Sequence, residues 1–421
     1  MAGVQVQEFK VLGLKMWQQV LLCLVAGIAV GFYIQGNVVL AEKLKILGTL
    51  FIDLIKMVVV PLIFLALVSG ITSMGGADNF KRVGLKGVVA YLATALFAVV
   101  IGLVFATIFH PGLGLGHVDI TQFGGTGPGA PELPVMSVES FLLNLISTNI
   151  FESFAKANLL QVIVFAVIFA MTINTMGAKA ARTRELMHDL AHVVFKMIEY
   201  IVRLAPLAVF GYMAWMVGTQ GIGVIKMLAT LVGAVIAACI VQYVIYCLLI
   251  LVFAHLNPLT FCRKLVTTQI MAFSTSSSKA TLTTAMREVE TKLGVSEQIS
   301  QFMLPLGAAI NMSGTAIYLG ICALFFAQFF GVEMHPVDYA MLLLTCTLGS
   351  IGAAGIPSGS IIFMSMVLHS VGLPIEGIGL LLGVDRILDM VRTTLNITGD
   401  CAITLIIDAT EKTLNRKVYN S

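Results

Sequence analysis

From residue 263 to residue 287 the chain reads RKLVTTQIMAFSTSSSKATLTTAMR, an apolar stretch that is basic at both ends and carries Ser274-Thr275-Ser276-Ser277-Ser278-Lys279 at its centre. By length it suffices for one crossing of a bilayer core ~30 Å thick. Basic segments stay on the cytoplasmic side, so a straight crossing leaves one basic end on the wrong face. A re-entrant hairpin resolves the conflict: two short arms enter from the cytoplasm, turn at the polar tip and return, with the open backbone buried in protein or lining water. A second stretch behaves the same way. Residues 336–372 hold Gly349-Ser350-Ile351-Gly352-Ala353-Ala354-Gly355-Ile356-Pro357-Ser358-Gly359 between two apolar arms too short to cross alone, and read as a hairpin from the outer face.

Each hairpin precedes a long helix with polar residues halfway along. After the first comes Gly307-Ala308-Ala309-Ile310-Asn311-Met312-Ser313-Gly314-Thr315-Ala316, where Asn, Ser and Gly weaken helix and invite local unwinding. After the second comes GVDRILDMVRTTLNITGD, residues 383–400. An ionisable group in a bilayer costs roughly 2.5–3.5 kcal/mol on insertion scales, so such a cluster marks a functional site. At about 100° per residue, Asp385, Asp389, Arg392, Asn396 and Asp400 share one stripe of a helix. Hairpin plus interrupted helix, twice and from opposite faces, is the inverted repeat of a secondary transporter whose site lies near the midplane. Carbonyls freed by unwinding suit cations, and hairpin-tip amides suit an anionic group.

The remaining composition agrees with an all-α polytopic membrane protein: 58% of the 421 residues are hydrophobic and only 11% charged, which excludes an ordinary soluble core. Six apolar runs precede the first hairpin, at 17–33, 46–71, 87–109, 141–176, 193–217 and 225–255. The first lies behind Lys10 and Lys15 without a small-residue cleavage site and reads as a span, not a signal. Basic clusters at Lys81, Arg82 and Lys86, at Lys179, Arg182 and Arg184, at Arg263 and Lys264, and at Lys412, Arg416 and Lys417 place those loops and both termini in the cytoplasm. The loop 111–134 has no Lys or Arg and belongs outside; Lys43 and Lys45 alone run against the rule.

Arg392 offers a planar fork for a carboxylate, and Asp389, one turn earlier, accepts hydrogen bonds from an ammonium. Together they describe an acidic amino acid; a buried structural ion pair is the competing reading. The seven cysteines stand singly, without CxxC pairing, and read as packing residues. His188 and His192 have the i,i+4 spacing of a metal grip but no evident third ligand, so a solvated face is expected. Ser276 and Lys279 form an S-x-x-K without the further motifs of an acyl hydrolase. The Gly-rich segment 124–129 lacks the Lys and helix of a phosphate loop, and no basic and aromatic interleaving suggests a nucleic-acid partner.

These motifs, in order along nearly the whole chain, resemble the dicarboxylate/amino acid:cation symporters, the glutamate transporter family: the serine-rich hairpin, Asn-Met-Ser-Gly-Thr, Ala-Ala-Gly-Ile-Pro, and Asp-Met-Val-Arg-Thr-Thr-Leu-Asn-Ile-Thr-Gly-Asp. The resemblance implies a homotrimer with eight transmembrane helices and two hairpins per protomer. Scaffold residues would be 1–80 and 139–220, the latter for trimerisation. Residues 81–110 and 221–421 would form a transport domain that moves as an elevator, with 111–138 an extracellular loop. It implies that Arg392 binds a side-chain carboxylate and Asp389 an amino group, with Thr315, Thr393 and Asn396 at the polar remainder and Ser277, Ser278 and Gly359 as hairpin contacts. Arg386, off the stripe, would support them.

Cation coupling is where the chain departs from the family. The resemblance carries over a first cation site from Gly307, Asn311, Asn396 and Asp400. A weaker second one uses carbonyls of Ala309, Ser350, Ile351 and Ala353, with alanine at 309 where threonine is usual. At the third, Tyr91 and Thr94 match, but Ala95 replaces a serine and Ser313 a carboxylate. A buried cation without a balancing charge is unfavourable, so fewer sodium ions, or protons, are expected to drive transport. Lys279 replaces a small residue, and is expected either to snorkel or to neutralise a carboxylate such as Asp385. The expectation is therefore symport of L-glutamate or L-aspartate with sodium or protons in a bacterial-type inner membrane, with no cofactor and no catalysis. Another carboxylate, such as a C4-dicarboxylate or cystine, and a passive anion channel stay open.

Overall fold

The computed structural model describes residues 16–73, 81–113, 146–156, 158–221, 223–353 and 359–421, and the regular elements among these are all helical, without a strand. Lys10, Lys15, most of the 111–138 loop and the tip of the second hairpin, Ala354 to Ser358, lie outside the described residues.

Helices α1 (Met16–Tyr33), α2 (Val38–Ser73) and α3 (Lys81–Phe109) occupy the first three expected runs, α2 and α3 starting earlier than apolarity alone indicates. α2 is bent by 47° where Val38–Val58 meets Val60–Thr72, close to Pro61, which removes a backbone donor and crowds the preceding turn. Its early start explains Lys45, whose ammonium lies 4.2 Å from the centre of the Trp215 ring while the Trp215 indole donates to Glu42 at 2.7 Å.

Two expected spans are corrected. The run 141–176 is not one helix where it is described: α4 (Ile150–Ala155) ends, and α5 (Leu159–Met176) starts afresh because the side chain of Asn158 caps it by accepting from the Gln161 amide. The run 193–217 straddles a break between α6 (Ala181–Val202) and α7 (Ala205–Gln220), where Pro206 sits in the first turn of α7 and favours a new start. The sixth run agrees with α8 (Gly223–Leu249), which continues as a π-helical turn, Ile250–Ala254.

Both hairpins fold back on themselves. After α9 (Pro258–Lys264), the arms α10 (Val266–Thr275) and α11 (Ser278–Thr291) pair from the root, where Thr268 donates to Glu288 at 2.7 Å, through Thr284 on Met271, to Thr275 with Thr281 at 3.4 Å. Ser276, with φ of 50°, makes the turn. In the second hairpin α14 (Pro336–Gly352) and α15 (Gly359–Ser370) meet at Ser370 with Thr345 and, closer to the tip, where Gly352 faces the Phe363 ring.

The expected unwinding occurs after the first hairpin only. α12 (Glu297–Ile310) stops and α13 (Ser313–Phe330) begins across Asn311 and Met312, whose ψ values of 99° and 49° are non-helical. The final helix, α16 (Leu382–Thr410), runs unbroken and thereby corrects the expectation of a second interruption. Three of its hydroxyls are absorbed within the helix, Thr394 on Met390, Thr398 on Thr394 and Thr404 on Asp400, so they do not open it. A 3₁₀ turn, Ile375–Leu381, leads into α16, and α17 (Arg416–Asn420) follows it.

Among the described residues, Arg82–Phe109, Gln161–Val202, Gly223–Ala254 and Glu297–Phe330 are long and apolar enough to cross a membrane, and the bent α2 pair is a fifth such unit. Large apolar side chains on α3 and α8, such as Leu92, Leu96, Ile240 and Val244, are exposed, whereas α13 is buried on nearly every side. That contrast is expected of lipid-facing helices wrapped around a central one. Packing is densest within two groups, with smaller contacts between them. α7 lies on α1 and α2, and α2 on α5 and α6; α3 lies on α13 and α8, while α16 packs on α8, α10, α12 and α13. Gly27 and Gly31 let α1 approach α7 closely, a Cβ at Gly27 meeting the Phe210 carbonyl at 2.7 Å.

Candidate functional site

The stripe of α16 faces inward: Asp385, Asp389, Arg392, Thr393, Asn396 and Asp400 are all buried. The Arg392 guanidinium, 1% exposed, donates through Nη2 to Asp385 at 2.9 Å and to Asp389 at 3.1 Å, and its Cζ lies 3.9 Å from the centre of the Tyr318 ring. Its Nε and Nη1 have no hydrogen-bond partner among the described residues. Arg386 approaches the other oxygen of Asp389 at 3.6 Å, and Ser360 reaches Asp385 at 3.4 Å. Asp389 therefore sits between two guanidiniums, which hold it in place and offset its charge.

Beside this network lies a cleft lined by Ser276, Ser278, Met312, Thr315, Ala353, Ser360, Asp389, Thr393 and Asn396. Its volume, about 20 Å³, has room for roughly one water, so a bound amino acid requires it to widen. Of the residues expected to touch substrate, Ser278, Thr315, Asp389, Thr393 and Asn396 meet here. Gly359 begins α15 next to Ser360. Ser277 is elsewhere: its hydroxyl caps α11 by accepting from the Ala280 amide. Arg392 stands behind Asp389, outside the lining, stacked on Tyr318. Ser276, Ser360 and Tyr318 were not legible in the sequence as site residues; the turn at Ser276, which sets the serine register, is the one signal that points to the first.

Across the break between α12 and α13, the four residues of the expected first cation site converge. Asn311 donates to Asp400 at 2.8 Å and to the Asn396 carbonyl at 3.3 Å, and a Cβ at Gly307 would stand 2.7 Å from both Asp400 Oδ1 and the Tyr91 hydroxyl. Asp400 is 0% exposed, and its Oδ2 has no hydrogen-bond partner among the described residues. A buried carboxylate oxygen without a donor is costly, and a cation satisfies it. The side chain of Asn396 accepts from the Gly314 amide at 2.8 Å, which ties the start of α13 to α16.

At the expected third site the side chains are spent on neutral partners. The Ser313 hydroxyl lies 2.7 Å from the Tyr246 hydroxyl and donates to Asn311 at 3.0 Å; Thr94 bonds back to the Tyr91 carbonyl at 3.0 Å, and the Tyr91 hydroxyl donates to Met303 at 3.1 Å. Ala95 is buried and offers no oxygen of its own side chain. For the expected second site, the Ala353 amide closes onto carbonyls of Gly349 and Ser350, and α12, which carries Ala309, packs on α14, which carries Ser350 and Ile351.

Lys279 does not meet Asp385, whose Oδ1 is held by Arg392 and Ser360. Its ammonium instead lies 5.1 Å from the centre of the Phe195 ring on α6, and no salt bridge involves it among the described residues. His188 is half-buried and bonds Ser69 of α2 at 2.8 Å, whereas His192 is exposed, as a solvated face expects.

Gly314 is a point where the site tolerates no side chain, since a Cβ there meets the backbone oxygen of Arg392 at 2.8 Å and its Cα at 2.9 Å. Gly314→Ala is expected to lower stability by about 1–3 kcal/mol by pushing α13 off α16. Thermal unfolding in detergent reads this directly, and an unchanged midpoint would mean that the two helices separate freely.

A helical membrane protein that buries a guanidinium against two carboxylates between two folded-back hairpins and a broken helix belongs to the class of secondary transporters for small charged solutes. The sequence matches the sodium:dicarboxylate symporter family over residues 16–410, and the chain belongs to that family. It is similar to the proton/sodium-glutamate symport protein of Bacillus subtilis, 31% identical over 94% of this chain and 93% of that one. Similarity extends to the C4-dicarboxylate transport protein of Rhodospirillum rubrum, 32% identical over 95% and 89%, and to the proton/glutamate-aspartate symporter of Escherichia coli, 32% identical over 95% and 93%. The protein is thus a cation-coupled carboxylate transporter and not an enzyme.

Proposed function

We propose that the chain imports an acidic amino acid, L-glutamate or L-aspartate, with protons or a reduced number of sodium ions. One observation carries this reading: a wholly buried Arg392, with Nε and Nη1 unpartnered among the described residues, stands directly behind an Asp389 that lines a polar cleft. An incoming side-chain carboxylate pairs with the free edge of Arg392 and an ammonium shares Asp389, while Ser278, Thr315, Thr393 and Asn396 satisfy the rest. Asp400, Asn311, Asn396 and Gly307 supply oxygens for one cation. The neutral Tyr246–Ser313–Asn311 chain supports the absence of a charged third site.

The two packing groups support a division of labour, in which α1, α2, α5, α6 and α7 remain as scaffold and trimer contact. α3 and α8 to α16 carry the site across as an elevator, gated by the second hairpin, in a bacterial inner membrane with both termini cytoplasmic. A second reading, C4-dicarboxylate uptake, is favoured by the similarity to the Rhodospirillum rubrum protein and by the two guanidiniums already offsetting Asp389.

Proteoliposome uptake of labelled glutamate and aspartate, with sodium and proton gradients imposed separately and succinate as competitor, tests both. Accumulation driven by a proton gradient, or by sodium with a shallow dependence, is the expected result. A steep multi-ion sodium requirement would reject the reading of Ser313 and Ala95, and displacement by succinate ahead of aspartate would favour the second substrate class. Dissipation without accumulation would identify a channel.

A further inference from the structure

Two cysteines that the sequence leaves 15 residues apart come together at the root of the first hairpin. Cys247, near the end of α8, and Cys262, in α9, place their sulfurs 3.7 Å apart, and both are half-buried and free. We propose that this pair is a reversible thiol–disulfide modification site, oxidised by small-molecule disulfides, whose closure clamps the root of the first hairpin onto α8.

Bonding requires a sulfur separation near 2.05 Å, so the two sulfurs must approach by about 1.7 Å from the 3.7 Å at which they stand. Four of the other cysteines, at 239, 322, 346 and 401, are buried, and no other cysteine pair is in contact among the described residues. The chemistry balances as thiol–disulfide exchange. The thiolate of one cysteine attacks the small disulfide and releases one thiol; the second cysteine then attacks the protein sulfur of the mixed disulfide and releases the other. Two protein thiols lose two electrons and two protons, and the reagent disulfide gains them as two thiols.

Three elements converge on the pair. Tyr243, one turn before Cys247, accepts from Gln269 of α10 at 3.0 Å, and Gln269 also donates to Thr398 of α16 at 3.2 Å. Lys264, two residues past Cys262, donates to carbonyls of Lys292, Val418 and Tyr419 at 2.8–2.9 Å, and the Tyr419 hydroxyl donates to Asn257 at 2.9 Å. α9 is therefore where the outgoing arm, the returning arm and the chain end are held, and a covalent link from it to α8 removes freedom from all three.

The test uses the full chain in lipid nanodiscs, treated with oxidised glutathione and then labelled with maleimide after denaturation. Of seven thiols, two are expected to disappear, the linked peptides to contain residues 247 and 262, and dithiothreitol to restore the full count. Hydrogen exchange of residues 258–264 is expected to slow severalfold in the oxidised protein, with no slowing in Cys262→Ser. Survival of all seven thiols, a stable glutathione adduct without the internal bond, linkage through another cysteine, or unchanged exchange in the oxidised chain would each overturn the proposal. None of these readouts depends on which substrate the protein carries.

Discussion

Arg392→Ala is expected to abolish concentrative uptake of glutamate and aspartate. Removing one partner of a buried, hydrogen-bonded charge pair costs about 2–5 kcal/mol of binding, which is a loss of roughly 30- to 5,000-fold in affinity. The same substitution strands Asp385 and Asp389, which Arg392 holds at 2.9 and 3.1 Å, and uncompensated buried carboxylates destabilise by about 3–5 kcal/mol. Lost uptake alone therefore does not separate a missing clamp from a missing fold. Two further variants do. In Arg392→Lys the charge remains and the planar fork does not, so folding is kept while the substrate concentration for half-maximal uptake rises by at least tenfold. In the double variant Asp385→Asn, Arg392→Ala one stranded charge is removed, so thermal stability recovers partly while uptake stays absent. Uptake in either variant within about threefold of the parent would show that the guanidinium only braces α16.

The sequence made the hairpins legible because charge placement and span length are local quantities: Arg263 and Arg287 cannot lie on opposite faces without violating the basic-side rule, whatever the rest of the chain does. The break at Asn311 and Met312 was legible for a similar reason, since Asn, Ser and Gly weaken helix wherever they stand. The same reasoning failed on α16, because Thr394, Thr398 and Thr404 could be satisfied inside the helix and nothing in composition distinguishes that outcome from unwinding. Helix starts at Asn158 and Pro206 were hidden inside apolar runs, where hydropathy outweighs one capping residue.

Site identity was more legible than site geometry. The stripe from Asp385 to Asp400 follows from helical periodicity, but whether Arg392 faces the cleft or Tyr318 depends on what packs opposite it, and that is a property of α13. Lys279 is a parallel case. Sequence offered a carboxylate or water as its companion; the residue is exposed, in agreement with the second, and what sequence did not offer is Phe195, a residue 84 positions earlier on α6 whose ring lies against the ammonium. Nor does spacing reveal that Cys247 and Cys262 meet, because the π-turn and the left-handed His255 between them set their approach.

Asp400→Asn is expected to uncouple transport, leaving the protein able to exchange substrate across the membrane but unable to accumulate it from a cation gradient. The substitution keeps the shape of the side chain and removes its formal charge. In the wild type, Oδ1 accepts from Asn311 at 2.8 Å and Oδ2 has no donor among the described residues, so the carboxylate is oriented by one bond and left with an oxygen to give to a cation. With Ser313 neutral and hydrogen-bonded to Tyr246, no second carboxylate stands at the break to take over. A buried cation deprived of its counter-charge loses several kcal/mol, enough to reduce its occupancy by more than about 100-fold at working concentrations. Substrate counterflow needs no net cation movement, so it should persist at a rate within severalfold of the parent, whereas uptake driven by either a sodium or a proton gradient should fall to background. Parental accumulation in Asp400→Asn would place the coupling ion elsewhere and remove the broken helix from the coupling mechanism. Loss of counterflow together with accumulation would instead make Asp400 a structural brace for Asn311, and a lowered unfolding temperature would accompany it.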